Sequence, residues 1–250
     1  MNTPSPTPAE VKALAIADAK RLMRVARTGA LATLDFETGL PLATLTGVAS
    51  DFDGAPLFLL SELSRHTKNL GGDARASLLL TNLAERGDPL NQPRLTLGGP
   101  VTVHDDAAAK ARYLRRNPKA KLYASFADFA LRRMRIETVH FNGGFGRADA
   151  LTVADLLTPA GDAAELLAAE DDLLKEVDGL GDAALIKLAE GASAGRRVWR
   201  AAGLDAEGLD LSAGTRTARV SFAAPEFTAA GWRRRLRQAL EAPLTSDADV

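Results

Sequence analysis

The chain of 250 residues contains no cysteine and almost no excess of either charge. The absence of cysteine excludes disulfides, thiolate catalysis, zinc–cysteine sites and cysteine-bound iron–sulfur clusters. A formal net charge of -1 gives no overall attraction to nucleic acid or to an acidic membrane surface, so any anion site must be local. We therefore expect neither a nucleic-acid partner nor a membrane partner.

Long hydrophobic runs are also missing. No apolar run approaches the ~20 residues of a membrane span, and the start, MNTPSPTPAE, lacks the basic and apolar segments of a signal peptide. The simplest expectation is a cytoplasmic protein. With 46% apolar and 25% charged residues the composition is that of a globular protein, and the length favours one large domain plus a small one.

One stretch, residues 61–72 (SELSRHTKNLGG), combines hydroxyls, cations and a histidine between two apolar runs typical of buried strands, 55–60 and 76–81. A strand that turns into a short helix leaves backbone N–H groups unpaired, and with the helix dipole these groups form an anion site. Arg65 can hold a phosphate with two hydrogen bonds, and Lys68 adds a point charge. The stretch predicts a phosphate site; the alternative is a solvated connecting helix whose serine is only an N-cap.

The remaining pattern predicts helices at the ends of a barrel. A capping box at residues 7–10 (TPAE) starts a helix that runs to about Arg27, and we expect the arginines at its end, at positions 21, 24 and 27, to be solvated. Short strands with turn signals follow, including 94–103, where Gly98-Gly99 indicates a bulge or a close backbone approach. The prediction is an α+β, mainly β fold: a six-stranded antiparallel split barrel.

Three segments are expected along the chain. Residues 1–7 form a disordered tail, residues 8–158 the barrel domain, and residues 163–245 a small α+β domain. The last assignment depends on a helix–helix–strand–strand–strand–helix pattern, which is sufficient for a small independent core.

Several motifs resemble the pyridoxamine-5′-phosphate-oxidase-like FMN-binding split-barrel family. They are LATL, PLATLTGVA, PLFLLSELSRHTKNL, DPLNQPRLTLGG and VHFNGGFGRA. More narrowly, the chain is similar to the heme-utilization (HugZ-type) branch of this family, in which a split barrel carries a small C-terminal α+β domain. The resemblance implies a homodimer with FMN at the subunit interface, and an FMN-dependent oxidoreductase whose small-molecule substrate is unknown.

The resemblance also implies roles for particular residues. The FMN phosphate would be held by Ser61, Arg65, Thr67 and Lys68, with His66 near it, Thr44 and Thr46 beside the flavin ring, and Arg94 reaching across from the neighbouring subunit. Gly143, Gly144 and Gly146 would let the backbone pass close to cofactor or partner. No residue is predicted to be a general acid or base, and no metal site is expected.

The chain departs from the family in two places. The C-terminal W-x-x-x-R-L motif with which the oxidases recognise their substrate is missing, and we expect Trp199 and Trp232 to pack in a small core instead. In the heme branch a histidine lies in the C-terminal domain, but Gly181 occupies that position here. His140, which alternates with two apolar residues, is interpreted as structural.

These departures leave three hypotheses. FMN is the expected cofactor, and heme is less expected because the family ligand is missing. The alternatives to a flavoprotein are a heme-binding or heme-degrading protein of the HugZ type, and a cofactor-free interaction module.

Overall fold

The computed structural model describes residues 7–81, 88–144, 148–159, 161–190 and 197–242. The chain divides into two units, Met1–Leu157 and Thr158–Val250. Apart from Thr7, the predicted tail lies outside the described residues.

The first unit begins with helix α1, Pro8–Val25. Its start is confirmed: the Thr7 side chain accepts from the backbone N–H of Glu10, and the Glu10 carboxylate accepts from that of Thr7. The expectation of solvated arginines is wrong for Arg24, which is 7% exposed. Its guanidinium donates to the carbonyls of Asp51 and Phe52 at 2.7 and 2.8 Å, because the last turn of α1 lies against the turn that contains them.

Nine strands form one antiparallel sheet in the described part of this unit. They are β1 (Thr28–Leu34), β2 (Pro41–Gly47), β3 (Ala49–Ser50), β4 (Pro56–Ser61), β5 (Arg75–Thr81), β6 (Arg94–Val103), β7 (Phe129–Met134), β8 (Thr138–Asn142) and β9 (Ala148–Asp149). The order is β2-β1-β5-β6-β7-β4-β3, and β8 pairs with β6 and β9. The split-barrel fold class is confirmed, but the described sheet has nine strands and not the predicted six. One reason is that the run 41–50 is interrupted at Val48, whose N–H donates to the carbonyl of Arg27, so that this run forms both β2 and β3.

The bend that curls the sheet lies at Gly98-Gly99 in β6. Residues 94–98 of this strand pair with β8, and residues 101–103 pair with β7. A Cβ on Gly99 would lie 1.9 Å from the carbonyl oxygen of Arg135, so only glycine fits there. The predicted close backbone approach is confirmed, and it lets one strand serve both parts of the sheet.

The core of the unit follows from strand alternation, since every second side chain points inward. Leucines of β1, β5 and β6 are fully buried with Phe58 of β4 and Phe141 of β8; they are Leu31, Leu78, Leu80, Leu95 and Leu97. Strand β4 is buried on both faces, because helix α3 (Ala107–Arg116) packs Ala109 and Tyr113 into a second cluster with Leu57 and Leu59. The predicted buried strand is therefore confirmed.

The opposite face of β2, β1, β5, β6 and β8 is the open face. Cross-strand register places five residues in one row across it: Leu45, Ala30, Leu79, Thr96 and His140. Leu45 is 76% exposed and Leu79 is 38% exposed. The outer row is thus apolar at one end and carries an imidazole at the other.

The second unit follows the predicted order of elements, except that three helices and not two precede the strands. Its helices are α5 (Ala164–Ala168), α6 (Glu170–Gly179), α7 (Asp182–Glu190) and α8 (Ala229–Glu241), and its antiparallel strands are β10 (Arg200–Asp205), β11 (Gly208–Ala213) and β12 (Arg216–Ser221). Trp199 and Trp232 are fully buried, and the Trp232 indole N–H donates to the carbonyl of Asp205 at 3.1 Å. Their expected role in packing is confirmed.

Two further short or connecting helices belong to the first unit: α2 (Arg65–Gly72) and α4 (Val153–Leu156). Across the described ranges, no helix combines the length and the apolar character that crossing a membrane requires.

Candidate functional site

The stretch predicted to bind phosphate forms the turn after β4 and helix α2. Asn69 fastens this helix to β1, because its side chain donates to the Thr33 hydroxyl at 2.9 Å and accepts from the Phe36 N–H at 3.1 Å. Ser64 stands at the N-cap position, but its side chain makes no capping hydrogen bond. The backbone arrangement of an anion site is therefore present.

The side chain of Arg65 is engaged by carboxylates at the end of β1. Its Nε and Nη2 donate to Asp35 at 2.6 and 2.9 Å, and Nη2 also donates to Glu37 at 2.7 Å. The guanidinium lies over the ring of Phe36, 4.2 Å from its centroid. These bonds hold the pKa of Asp35 well below its ordinary value and lower that of Glu37, so both groups stay ionised. Both carboxylates are thus paired with this one guanidinium.

The side chain of Ser61 is also hydrogen-bonded to an acidic residue. Its hydroxyl donates to the carboxylate of Asp128 at 2.5 Å and accepts from the N–H of Leu63 at 3.1 Å. A hydroxyl has a single proton to donate, and that proton is used here. Lys68 is exposed, and its positive charge also lowers the pKa of Glu37.

His66 and Thr44, which the resemblance places near the phosphate and beside the flavin ring, contact each other. The His66 Nδ1 is 3.0 Å from the Thr44 hydroxyl, which is also 3.4 Å from the carbonyl of Leu31. If that hydroxyl donates to the carbonyl, it accepts from Nδ1–H, and the His66 Nε2 keeps its lone pair. Burial first, and then the charge of Arg132, lower the pKa of His66, so the ring is neutral.

Three buried polar atoms near the start of α2 and on β7 have no hydrogen-bond partner. They are His66 Nε2, the Thr67 hydroxyl and Arg132 Nε. Burial lowers the pKa of Arg132, and the nearby charge of Glu62 acts in the opposite direction. Sequence reasoning missed Arg132 because it lies 60 residues beyond the end of the stretch 61–72.

The other predicted site residues lie elsewhere. Thr46 is 6% exposed, with its hydroxyl 3.5 Å from the carbonyl of Gly29. Arg94 starts β6 on the open face and donates to the carbonyl of Leu90 at 2.8 Å. Gly144 passes close to this chain's own Asn91, since a Cβ there would lie 2.6 Å from the Asn91 carbonyl oxygen, while Gly146 lies outside the described residues.

The structure therefore groups Ser61, Arg65, His66 and Thr44 around α2, but surrounds the first two with acids that the sequence reasoning missed. The segment 35–37 (DFE) directly after the first strand was the available signal for two of these acids. A phosphate carries ~1.5–2 negative charges near neutral pH, so it would meet the carboxylates of Asp35, Glu37 and Asp128. As arranged, these residues do not fit the FMN phosphate.

A cavity of about 290 Å³ opens at the ends of β1, β2 and β5. It is lined by Ala32, Thr33, Leu34, Pro41, Arg75, Ala76 and Ser77. Ligand pockets usually enclose ~300–1,000 Å³, so this cavity is at the lower limit for a large cofactor. This cavity alone would not enclose a large planar ligand.

Comparison with known proteins decides the family. The family model described as CREG, beta-barrel matches residues 11–157, which is more than half of the chain. The chain belongs to the CREG β-barrel family. Membership agrees with the resemblance to split-barrel proteins in sequence and confirms it.

Relatives of this CREG β-barrel protein include proteins named for heme. The chloroplastic non-canonical heme oxygenase HOZ of Arabidopsis thaliana is 34% identical over 113 residues, 44% of this chain. The match spans only 34% of the length of that curated relative. A heme binding protein from Mycobacterium smegmatis is 25% identical, with a TM-score of 0.54, and the alignment covers 96% of this chain and 98% of that one.

A third relative has no assigned role. It is a protein of unknown function from Agrobacterium tumefaciens strain C58, with 36% identity and a TM-score of 0.82. The alignment covers 95% of this chain and all of the other, so both units have counterparts there.

Proposed function

We propose that the protein binds heme through its split-barrel unit. The observation that carries the proposal is the similarity over 96% of the chain to a heme binding protein, joined by the local similarity to a heme oxygenase. Heme, when bound, supplies an iron centre for redox chemistry, and the protein supplies position and electrostatics.

The geometry around α2 supports heme over FMN. The cation that would bind the flavin phosphate is held by Asp35 and Glu37, and the first hydroxyl is held by Asp128. An FMN-dependent oxidoreductase remains a prediction that requires these acids to release their partners. Heme needs no phosphate site.

The donor types in the chain fit heme. Iron in heme takes imidazole, thiolate, phenolate or thioether ligands, and the chain has no cysteine, which leaves histidine, tyrosine and methionine. All three histidines, at positions 66, 104 and 140, belong to the first unit. The open face offers the apolar surface that a porphyrin ring needs.

We also propose that the protein is a homodimer. The support is the open face, on which Leu45 and Leu79 expose apolar surface beside the small side chain of Ala30. Contiguous apolar surface of this kind marks an interaction site. A second copy would cover it and would enclose a ligand that a single chain leaves exposed.

The test is a titration of the purified protein with hemin, followed by absorption in the Soret region. We expect a shifted Soret band that saturates at about one equivalent per chain. Parallel titrations with FMN and with riboflavin should show no difference between the two, because the phosphate contributes nothing. Saturable binding of FMN with no saturable binding of hemin would overturn the proposal.

A heme-degrading activity is a second candidate, favoured by the 34% identity to a heme oxygenase. Its test follows from the first: hemin-loaded protein is mixed with oxygen and a chemical reductant. Loss of the Soret band together with release of iron to a chelator would support degradation, and a stable Soret band would limit the function to binding.

A further inference from the structure

We infer that His140 supplies the axial nitrogen to heme iron on the open face. The assignment rests on the proposed heme binding. All three histidines of the chain belong to the first unit, so an imidazole ligand from this chain has to come from that unit.

Accessibility separates the three histidines. The Nε2 of His66 is buried, and its Nδ1 is held by Thr44, so the ring cannot reach a porphyrin without opening the site. The Nε2 of His104 is also buried and lies 3.8 Å from the Asp51 carboxylate. His140 is exposed, and no described group bonds to its ring. It is the one imidazole that a large planar ligand can approach.

Other ligand types are less available in the described part of the chain. Met23 and Met134 are buried in the barrel core, and Tyr113 is 2% exposed. The ring of Tyr123 packs against Phe129 with centroids 4.7 Å apart. None of these side chains stands on a surface broad enough for a porphyrin ring.

The neighbours of His140 complement such a ring. Thr96 lies directly opposite on β6, and Leu79 follows on β5, two strand spacings or ~10 Å from His140. A porphyrin held by His140 would rest against this face of the sheet. It would cover Thr96 and reach the exposed side chain of Leu79.

A cation lies where a heme carboxylate needs one. Arg94 is two residues before Thr96 on the same face, which is the diagonal position to His140, ~7–8 Å away. Its Nη1 is anchored by the carbonyl of Leu90, and no described carboxylate pairs with it. A guanidinium binds a carboxylate with charge-assisted hydrogen bonds, so Arg94 is placed to hold a propionate.

The experiment is a hemin titration of the full chain and of His140→Ala, monitored by Soret absorption and by electron paramagnetic resonance. We expect the Soret band of the variant to move away from its wild-type position. The affinity for hemin should fall by more than ~10–100-fold, which is the loss typical when only a group that supports a ligand is removed. In His140→Gly, added imidazole should restore the wild-type spectrum. His104→Ala is the matched control and should bind hemin as the wild type does.

The outcomes separate the two proposals. If the wild type fails to bind hemin, the proposed function fails and the ligand assignment fails with it. If the wild type binds and His140→Ala gives the same spectrum and affinity, only the assignment to His140 is overturned. A spectral change that imidazole does not rescue in His140→Gly would also contradict axial ligation, because a structural role would not respond to free imidazole.

Discussion

Arg65 and Asp35 form a two-pronged ion pair, with Nε–Oδ2 and Nη2–Oδ1 distances of 2.6 and 2.9 Å. The pair joins the first residue of α2 to the residue after β1. The guanidinium that the sequence offers to a phosphate is thus already bound to a carboxylate of the same chain. This pair is the main structural reason for preferring heme to FMN.

Removal of the competing acids should create the phosphate site that the wild type lacks. In the double variant Asp35→Asn, Glu37→Gln, Arg65 keeps its position but loses its ionic partners. We expect FMN affinity to rise by roughly ten-fold or more, since charge-assisted hydrogen bonds then form to the phosphate. Flavin fluorescence quenching measures the change.

Two controls accompany that measurement. Riboflavin, which has no phosphate, should bind the double variant and the wild type equally. Asp73→Asn removes a carboxylate that pairs with Arg75 at the other end of α2 and should leave FMN binding unchanged. Unaltered or weaker FMN binding by the double variant would show that these acids do not keep Arg65 from binding the FMN phosphate.

The same ion pair predicts a pH dependence. Hydrogen bonds from Arg65 hold the pKa of Asp35 well below its usual value of 3.8. A depressed folded pKa means that the contribution of Asp35 to stability is complete above about pH 4 and is lost as pH falls through the folded value. NMR titration of the Asp35 carboxyl should therefore show an ionised group at pH 3. Protonation with a midpoint near 3.8 would contradict the pair.

Arg24 and Arg21 provide a matched comparison on α1. Arg24 is buried and donates to two backbone carbonyls, whereas Arg21 is exposed on the same helix. Arg24→Met should lower the free energy of unfolding by roughly 2–4 kcal/mol, because each carbonyl left unpaired costs ~1–3 kcal/mol. Arg21→Met should change it by less than ~0.5 kcal/mol. Equal effects in urea unfolding would mean that the two bonds contribute nothing.

The sequence was sufficient for the parts of the fold that local rules determine. The Thr7–Glu10 capping box, the apolar strands and the Gly98-Gly99 bend are each specified by neighbouring residues, and each was predicted. The partners of Arg65 and Arg24 lie 27 to 30 residues away in the chain, so no local pattern identifies them. The candidate site was located in part by the same local rules, but its charge balance depends on tertiary contacts.

The proposed dimer can be tested on the open face. Leu45 is 76% exposed on β2, and Leu63 is 75% exposed in the turn before α2, outside the strands that form that face. Leu45→Asp should convert a dimer to a monomer in sedimentation at micromolar concentration, since a buried charge at the interface is unfavourable. Leu63→Asp should remain a dimer. A wild type that sediments as a monomer would overturn the homodimer.

The visible spectrum of the freshly purified full-length protein, produced in cells supplied with a heme precursor, tests heme binding most directly. If the protein binds heme, the spectrum shows one Soret band whose intensity grows with the amount of protein. Two flavin bands without a Soret band would contradict it and would return FMN as the cofactor. A colourless protein under the same heme supply would contradict it as well.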